Sequence, residues 1–155
     1  MSTENKNRIS RRILVADDDP VIRHLITSLV EKEYYEAVVV NDGKEAYRIL
    51  QTDSNFCAAI FDKMMPHLQG LDVIRFMRTE KRLNRIPVLM ITSEQDLRLI
   101  TESFAAGVTL LLPKPFTTQL FLSTLRLLLN NSHREDSGDT AANISRLRYH
   151  RTDWR

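Results

Sequence analysis

The sequence predicts a doubly wound α/β fold on a five-stranded parallel sheet, and three observations carry that prediction. Five short apolar runs alternate with five amphipathic stretches between residues 12 and 130 of the 155-residue chain. The runs are apolar without interruption, as strands covered by helices on both faces are, rather than alternating apolar with polar. Side chains with chemical capability gather at the carboxyl ends of the runs, where open parallel sheets hold their ligand sites.

The elements follow in order. "RILVA" (12–16) reads as a buried strand, and Pro20 through Lys32 then place Val21, Ile22, Leu25, Ile26, Leu29 and Val30 on one helical stripe. The second strand is "EAVVV" (36–40), closed by the turn signal Asn41-Asp42-Gly43; "KEAYRILQ" (44–51) is a short helix with Ala46, Ile49 and Leu50 inward. Strand three, "AAIF" (58–61), ends at Asp62, and "LDVIRFMRTE" (71–80) is the third helix. Strand four is "PVLMIT" (87–92), and the helix after it, "DLRLITESFAAG" (96–107), is closed by Gly107. "TLLLP" (109–113) is the fifth strand and "TTQLFLSTLRLLLN" (117–130) the fifth helix. Residues 1–11 are polar and basic and are expected to form a flexible arm. Residues 131–155 are expected to form a polar, mobile tail ending in arginines mixed with Tyr149 and Trp154.

Composition narrows the function classes. Apolar residues at 43% and charged residues at 27% are ordinary for a soluble domain, and a formal charge of +2 gives no case for nucleic acid or membrane as a partner. The single cysteine, Cys57, excludes an internal disulfide and a cysteine-rich zinc site; within "FCAAIFD" it reads as a small buried hydrophobe. No apolar run reaches the ~18 residues of a membrane span, so a cytoplasmic location is expected.

The carboxyl ends of the strands carry Asp17, Asp18 and Asp19 after strand one, Asp62 after strand three, Thr92 and Ser93 after strand four, and Lys114 after strand five. Carboxylates without histidine or cysteine beside them favour a hard, oxygen-loving cation, Mg²⁺ over Zn²⁺. A lysine and a hydroxyl on the same rim can hold phosphoryl oxygens, and a carboxylate between them can accept a phosphoryl group. Asp19 before Pro20 has the pattern of a helix N-cap with proline at the first helical position.

The stretches "ILVADDDP", "AAIFDKMMPHLQG", "PVLMITSE" and "LLPKPF", in this order and at these intervals, closely resemble the receiver domain of two-component response regulators over residues 12–130. That resemblance implies the flavodoxin-like strand order 2-1-3-4-5. It implies Asp62 as phosphoacceptor, Asp18 as direct Mg²⁺ ligand with Asp17 assisting, and Met64 as a backbone-carbonyl ligand. Thr92 and Lys114 would hold the phosphoryl group, and the Lys114-Pro115 bond would be cis. The implied partners are a sensor histidine kinase or phosphotransfer protein, with output by protein–protein contact or by passing phosphate along a relay. Two positions depart from the family pattern: Leu111 stands where an aromatic residue commonly moves with the threonine, and Gln69 where an aspartate commonly precedes the glycine. Met64 and Glu94 occupy positions at which relatives tune phosphate lifetime.

Simpler roles stand beside these. His67 and His24 read as surface histidines, and His133 and His150 have no metal-ligand spacing. Leu120, Leu122 and Leu127 widen the apolar face of the fifth helix beyond Phe121, Leu125, Leu128 and Leu129. Either a broad buried face or a homodimer surface on helices four and five accounts for them. A receiver-like binding module that no longer uses phosphate remains open because of Leu111. So does a Mg²⁺-dependent phosphohydrolase of the haloacid dehalogenase type, on the Asp17-x-Asp19 pattern, although the acids beyond Lys114 all fall in the tail.

Overall fold

The computed structural model describes residues 10–135. Nearly all of the expected amino-terminal arm, and the tail from residue 136 with its Tyr149 and Trp154, lie outside the described residues. The elements are β1 (Arg12–Ala16), α1 (Pro20–Lys32), β2 (Glu36–Val40), α2 (Gly43–Thr52), β3 (Ala58–Asp62), α3 (Gly70–Thr79), β4 (Val88–Thr92), α4 (Leu97–Ala106), β5 (Leu110–Pro113) and α5 (Thr118–Glu135). All neighbouring strands pair in parallel, in the order β2-β1-β3-β4-β5. The expected fold class and strand order are both observed. The fifth helix continues to Glu135, beyond its expected end at residue 130.

Strand alternation divides the core into two layers. Ile13, Val15, Ile60, Leu89, Ile91 and Leu112 point to one face, where they meet Ile26, Leu29 and Val30 of α1 and Phe121, Leu125 and Leu128 of α5. Leu14, Ala16, Phe61, Val88 and Met90 point to the other, against Ala46 and Leu50 of α2, Leu71, Val73, Ile74 and Met77 of α3 and Leu99 of α4. Each residue of a central strand thus buries its side chain on one face or the other, which explains why β3 and β4 are buried along their whole length. The edge strand β2 is only partly covered, with Val39 39% exposed. The stripe expected on α1 is narrower than the sequence suggested. Val21 is 72% exposed and Leu25 38%, because the side of α1 that reaches the core is the one carrying Ile22, Ile26, Leu29 and Val30.

Helix ends are set by local chemistry. Asp19 is the N-cap of α1, its carboxylate accepting from the Val21 amide at 2.9 Å, with Pro20 opening the helix. Asp42 and Asp96 cap α2 and α4 in the same way, so the Asn41-Asp42-Gly43 turn is also a helix start. Gly107 closes α4 in the left-handed region at φ 109°, with the Val108 amide reaching back to Ser103. The Arg78 guanidinium packs over this turn. It donates to the Gly107 carbonyl and to the carbonyls of Asn84 and Ile86, tying α3 to the ends of α4 and the loop before β4.

Because its role is to cap α1, Asp19→Ala is expected to lower stability by about 1 kcal/mol in urea unfolding while leaving metal affinity within twofold. A loss of Mg²⁺ binding as large as that of Asp18→Ala would contradict the assignment of Asp19 to the helix.

Candidate functional site

Parallel pairing aligns the strand ends and so assembles the site. Ala16 lies beside Phe61, Asp62 beside Ile91 and Thr92 beside Pro113, so the residues that end or follow β1, β3, β4 and β5 share one rim. On that rim Asp17, Asp18 and Asp62 each offer a carboxylate oxygen within 4.8 Å of the others. Asp17 is 1% exposed and Asp62 7%, whereas Asp18 is open to solvent. The Lys114 ammonium lies 3.3 Å from Asp62 Oδ1 and 3.9 Å from Asp17 Oδ2, facing both buried acids. Its position follows from the Lys114 amide bond to the Thr92 carbonyl, which extends the β4–β5 ladder past Pro113; the Lys114-Pro115 peptide is cis, as expected. Thr92 is 4% exposed at the end of β4.

Four of the predicted site residues therefore meet at one place, Thr92 lies on the same rim at the end of β4, and Asp19 stands apart at the helix end. The Met64 backbone amide helps to lower the Asp62 carboxyl, while the Met64 residue is 51% exposed. Gly70 allows the loop after β3 to fold back: a Cβ there would come within 2.6 Å of the Asp62 carbonyl oxygen. The Arg23 guanidinium, which sequence reasoning passed over, donates to the Asp17 carbonyl at 3.0 Å and braces the turn into α1. His24 and His67 are exposed, and His67 holds a left-handed φ of 71° in the loop. Leu111 is partly buried against the α2–α3–α4 layer.

The electrostatics of the pocket are those of crowded acids. Burial, reinforced by Asp62 and Asp18, pushes the Asp17 carboxyl up to about 6; the bond from the Asp19 amide and the Lys114 charge oppose it. Burial also raises Asp62, with Lys114 the main opposing influence. A single lysine does not neutralise three carboxylates. Among the described residues Asp17 Oδ2 is the one buried side-chain polar atom without a hydrogen-bond partner. An orphaned carboxylate oxygen among all-oxygen donors fits a hard divalent cation such as Mg²⁺, which Asp17, Asp18 and Asp62 could hold. Cys57, by contrast, is buried, and burial pushes its thiol up to about 11, away from the reactive thiolate, in keeping with a small buried hydrophobe.

The pairing of Lys63 with Glu94, a position the family resemblance had singled out, was not legible in the sequence. Lys63, next to the strand-end aspartate, is 8% exposed, and its ammonium meets the Glu94 carboxylate at 2.8 Å. The signal was a lysine inside the otherwise apolar "AAIFDKMM", where a charge has to find a partner to be buried.

Fold and pocket together define a flavodoxin-like α/β protein with an acidic, lysine-bearing cleft at the carboxyl edge of its sheet. The chain belongs to the response regulator receiver domain family, whose model matches residues 13–126. It is 31% identical over 122 residues to the chemotaxis protein CheY1 of Helicobacter pylori, covering 78% of this chain and 98% of that protein. It is 32% identical over 134 residues to the response regulator MprA of Mycobacterium bovis, covering 86% of this chain and 57% of MprA. Among solved structures, chemotaxis protein CheY4 of Vibrio cholerae superposes with a TM-score of 0.71 at 30% identity, over 76% of this chain and 98% of CheY4. The chain is thus a CheY-like receiver domain of two-component signal transduction, and none of its described helices is long and apolar enough to cross a membrane.

The raised carboxyl of Asp17 has a definite consequence for stability. Its proton is held more tightly in the folded protein than in the unfolded chain, where the value is near 3.8. The group's contribution is therefore fully present below about pH 4 and is lost as pH rises through about 6. In metal-free buffer, Asp17→Asn is expected to gain stability relative to the wild type across that interval, measured by urea unfolding in EDTA. A difference that stays flat with pH would contradict the assignment.

Proposed function

We propose that this receiver domain is a Mg²⁺-dependent phosphorylation switch with Asp62 as its phosphoacceptor. The observation that carries the proposal is the pairing of Asp62 with the Lys114 ammonium at 3.3 Å inside the acidic cluster. Asp62 is largely buried, 7% exposed, at the carboxyl end of β3. In the transfer, an Asp62 carboxylate oxygen bonds to phosphorus as the bond from phosphorus to the donor imidazole breaks, and the imidazole keeps the electron pair. Lys114 is placed to neutralise phosphoryl oxygens as charge shifts, and the Thr92 hydroxyl is on the same rim to donate to one of them. Asp17, Asp18 and Asp62, with the Met64 carbonyl, would hold the cation. When bound, Mg²⁺ supplies positive charge that offsets the repulsion between the acceptor and the incoming phosphoryl group.

The donor is a sensor histidine kinase or a phosphotransfer protein, and the chain acts as a cytoplasmic signalling protein rather than as a turnover enzyme. Output passes to another protein. Leu97 (78% exposed) and Phe104 (48%) on α4, with Leu120 (46%) and Leu127 (58%) on α5, supply an apolar surface for that contact. A second copy of this chain is the occupant proposed for it. The exposure of Leu120 and Leu127 argues against the alternative that both belong to a broad buried face.

Incubation with Mg²⁺ and acetyl phosphate, followed by intact mass, is expected to show one phosphate adduct that is lost in Asp62→Asn and in Asp18→Ala. Steady hydrolysis of the donor without an adduct would contradict the switch. For the α4–α5 surface, wild-type protein with a beryllofluoride mimic is expected to sediment as a dimer and Leu127→Glu as a monomer. A wild type that stays monomeric would refute self-association.

A further inference from the structure

The ion pair between Lys63 and Glu94 spans the two loops that border Asp62, one after β3 and one after β4. Lys63 is rigidly placed. Its amide bonds the Ile91 carbonyl at 2.9 Å, its carbonyl accepts from the Gly70 amide at 3.2 Å, and its side chain is 11% exposed. The Glu94 partner sits in a stretch, residues 93–96, that is exposed throughout. Two contacts hold Glu94 in place: the 2.8 Å bond from the Lys63 ammonium to its carboxylate, and the 3.0 Å bond from its own amide to the Thr92 hydroxyl oxygen. Lys63, Glu94 and Thr92 therefore form a continuous chain, from a fixed point beside the acceptor to the hydroxyl proposed to touch the phosphoryl group.

We propose that Lys63 is a positioning residue for phosphoryl uptake, fixing the Thr92 hydroxyl by anchoring Glu94 across the rim. An exposed loop with few anchors opens easily, and an ammonium taken out of water keeps its one carboxylate partner at short range. The loop is thereby restrained from its own exposed side, and the hydroxyl oxygen stays engaged by the Glu94 amide with its proton free to donate. The strut also gives the chain a link between rim and loop that does not pass through residue 111, where Leu111 offers no polar group to the hydroxyl. This inference rests on the assignment of Asp62 as acceptor and Thr92 as its hydroxyl partner.

The test compares wild type, Lys63→Met, Glu94→Gln and the double variant, each with Thr92 and with Thr92→Ala. The rate of phosphate incorporation from acetyl phosphate is measured at fixed Mg²⁺. Each single variant is expected to be slowed about three- to tenfold, the scale of a misplaced positioning group, with the double no slower than the slower single. With Thr92→Ala the Lys63 and Glu94 substitutions are expected to change nothing further. Equal slowing in both backgrounds, or multiplying effects, would overturn the proposal in favour of a general electrostatic or structural role. Hydrogen–deuterium exchange of the peptide covering residues 92–96, without phosphodonor, is the second readout. Faster exchange in Lys63→Met supports the strut and unchanged exchange refutes it. A wild type that takes up no phosphate would instead refute the acceptor role of Asp62, and the exchange result would still decide whether Lys63 holds the loop.

Discussion

Everything at the functional rim follows from one unfavourable interaction: three carboxylates brought within 4.8 Å of one another, two of them buried. At that separation two unit charges repel by about 0.9 kcal/mol in water and about 3.5 kcal/mol at the effective dielectric of a protein surface. The chain answers with Lys114 from the next strand but one, a bond from the Asp19 amide and the raised carboxyl of Asp17. These do not complete the balance, since Asp17 Oδ2 is left without a hydrogen-bond partner. A pocket built this way has a standing affinity for positive charge. The chemistry assigned to Asp62 depends on that affinity.

The sheet makes such a pocket tolerable. β1, β3 and β4 are buried on both faces by aliphatic side chains, so the backbone that presents Asp17, Asp62 and Thr92 cannot relax away from the crowding. Parallel register fixes their relative depth. The two layers of core, α1 with α5 and α2 with α3 and α4, are held by packing that the acids do not share. The cost of the site therefore falls on a few rim residues. Lys63 follows the same rule: a buried cation next to Asp62, satisfied by an acid from the neighbouring loop.

Much of this was legible in the sequence because its signals are local. Uninterrupted apolar runs marked the strands, and Asp19-Pro20 marked the helix start, each from chemistry within a few residues. The strand-end rule then collected Asp17, Asp18, Asp62, Thr92 and Lys114 onto one rim, where the structure also has them. What could not be read depends on partners distant in the chain. Val21 and Leu25 look as apolar as Ile26, and only the choice of which side of α1 meets the core leaves them exposed. "EAVVV" and "AAIFD" look equally buried, yet one is an edge strand and the other central. The Lys63–Glu94 bond joins residues 31 positions apart, and its sequence cue was one charge out of place in an apolar run.

The most direct test of the central claim is calorimetric titration of Mg²⁺ in two buffers of different ionisation enthalpy, which counts protons released on binding. Because the Asp17 carboxyl sits near 6, binding at pH 6 is expected to release roughly half a proton per ion, falling to almost none at pH 8. Binding at pH 6 with no proton release would contradict the account, because the cation would then not be relieving the buried acids.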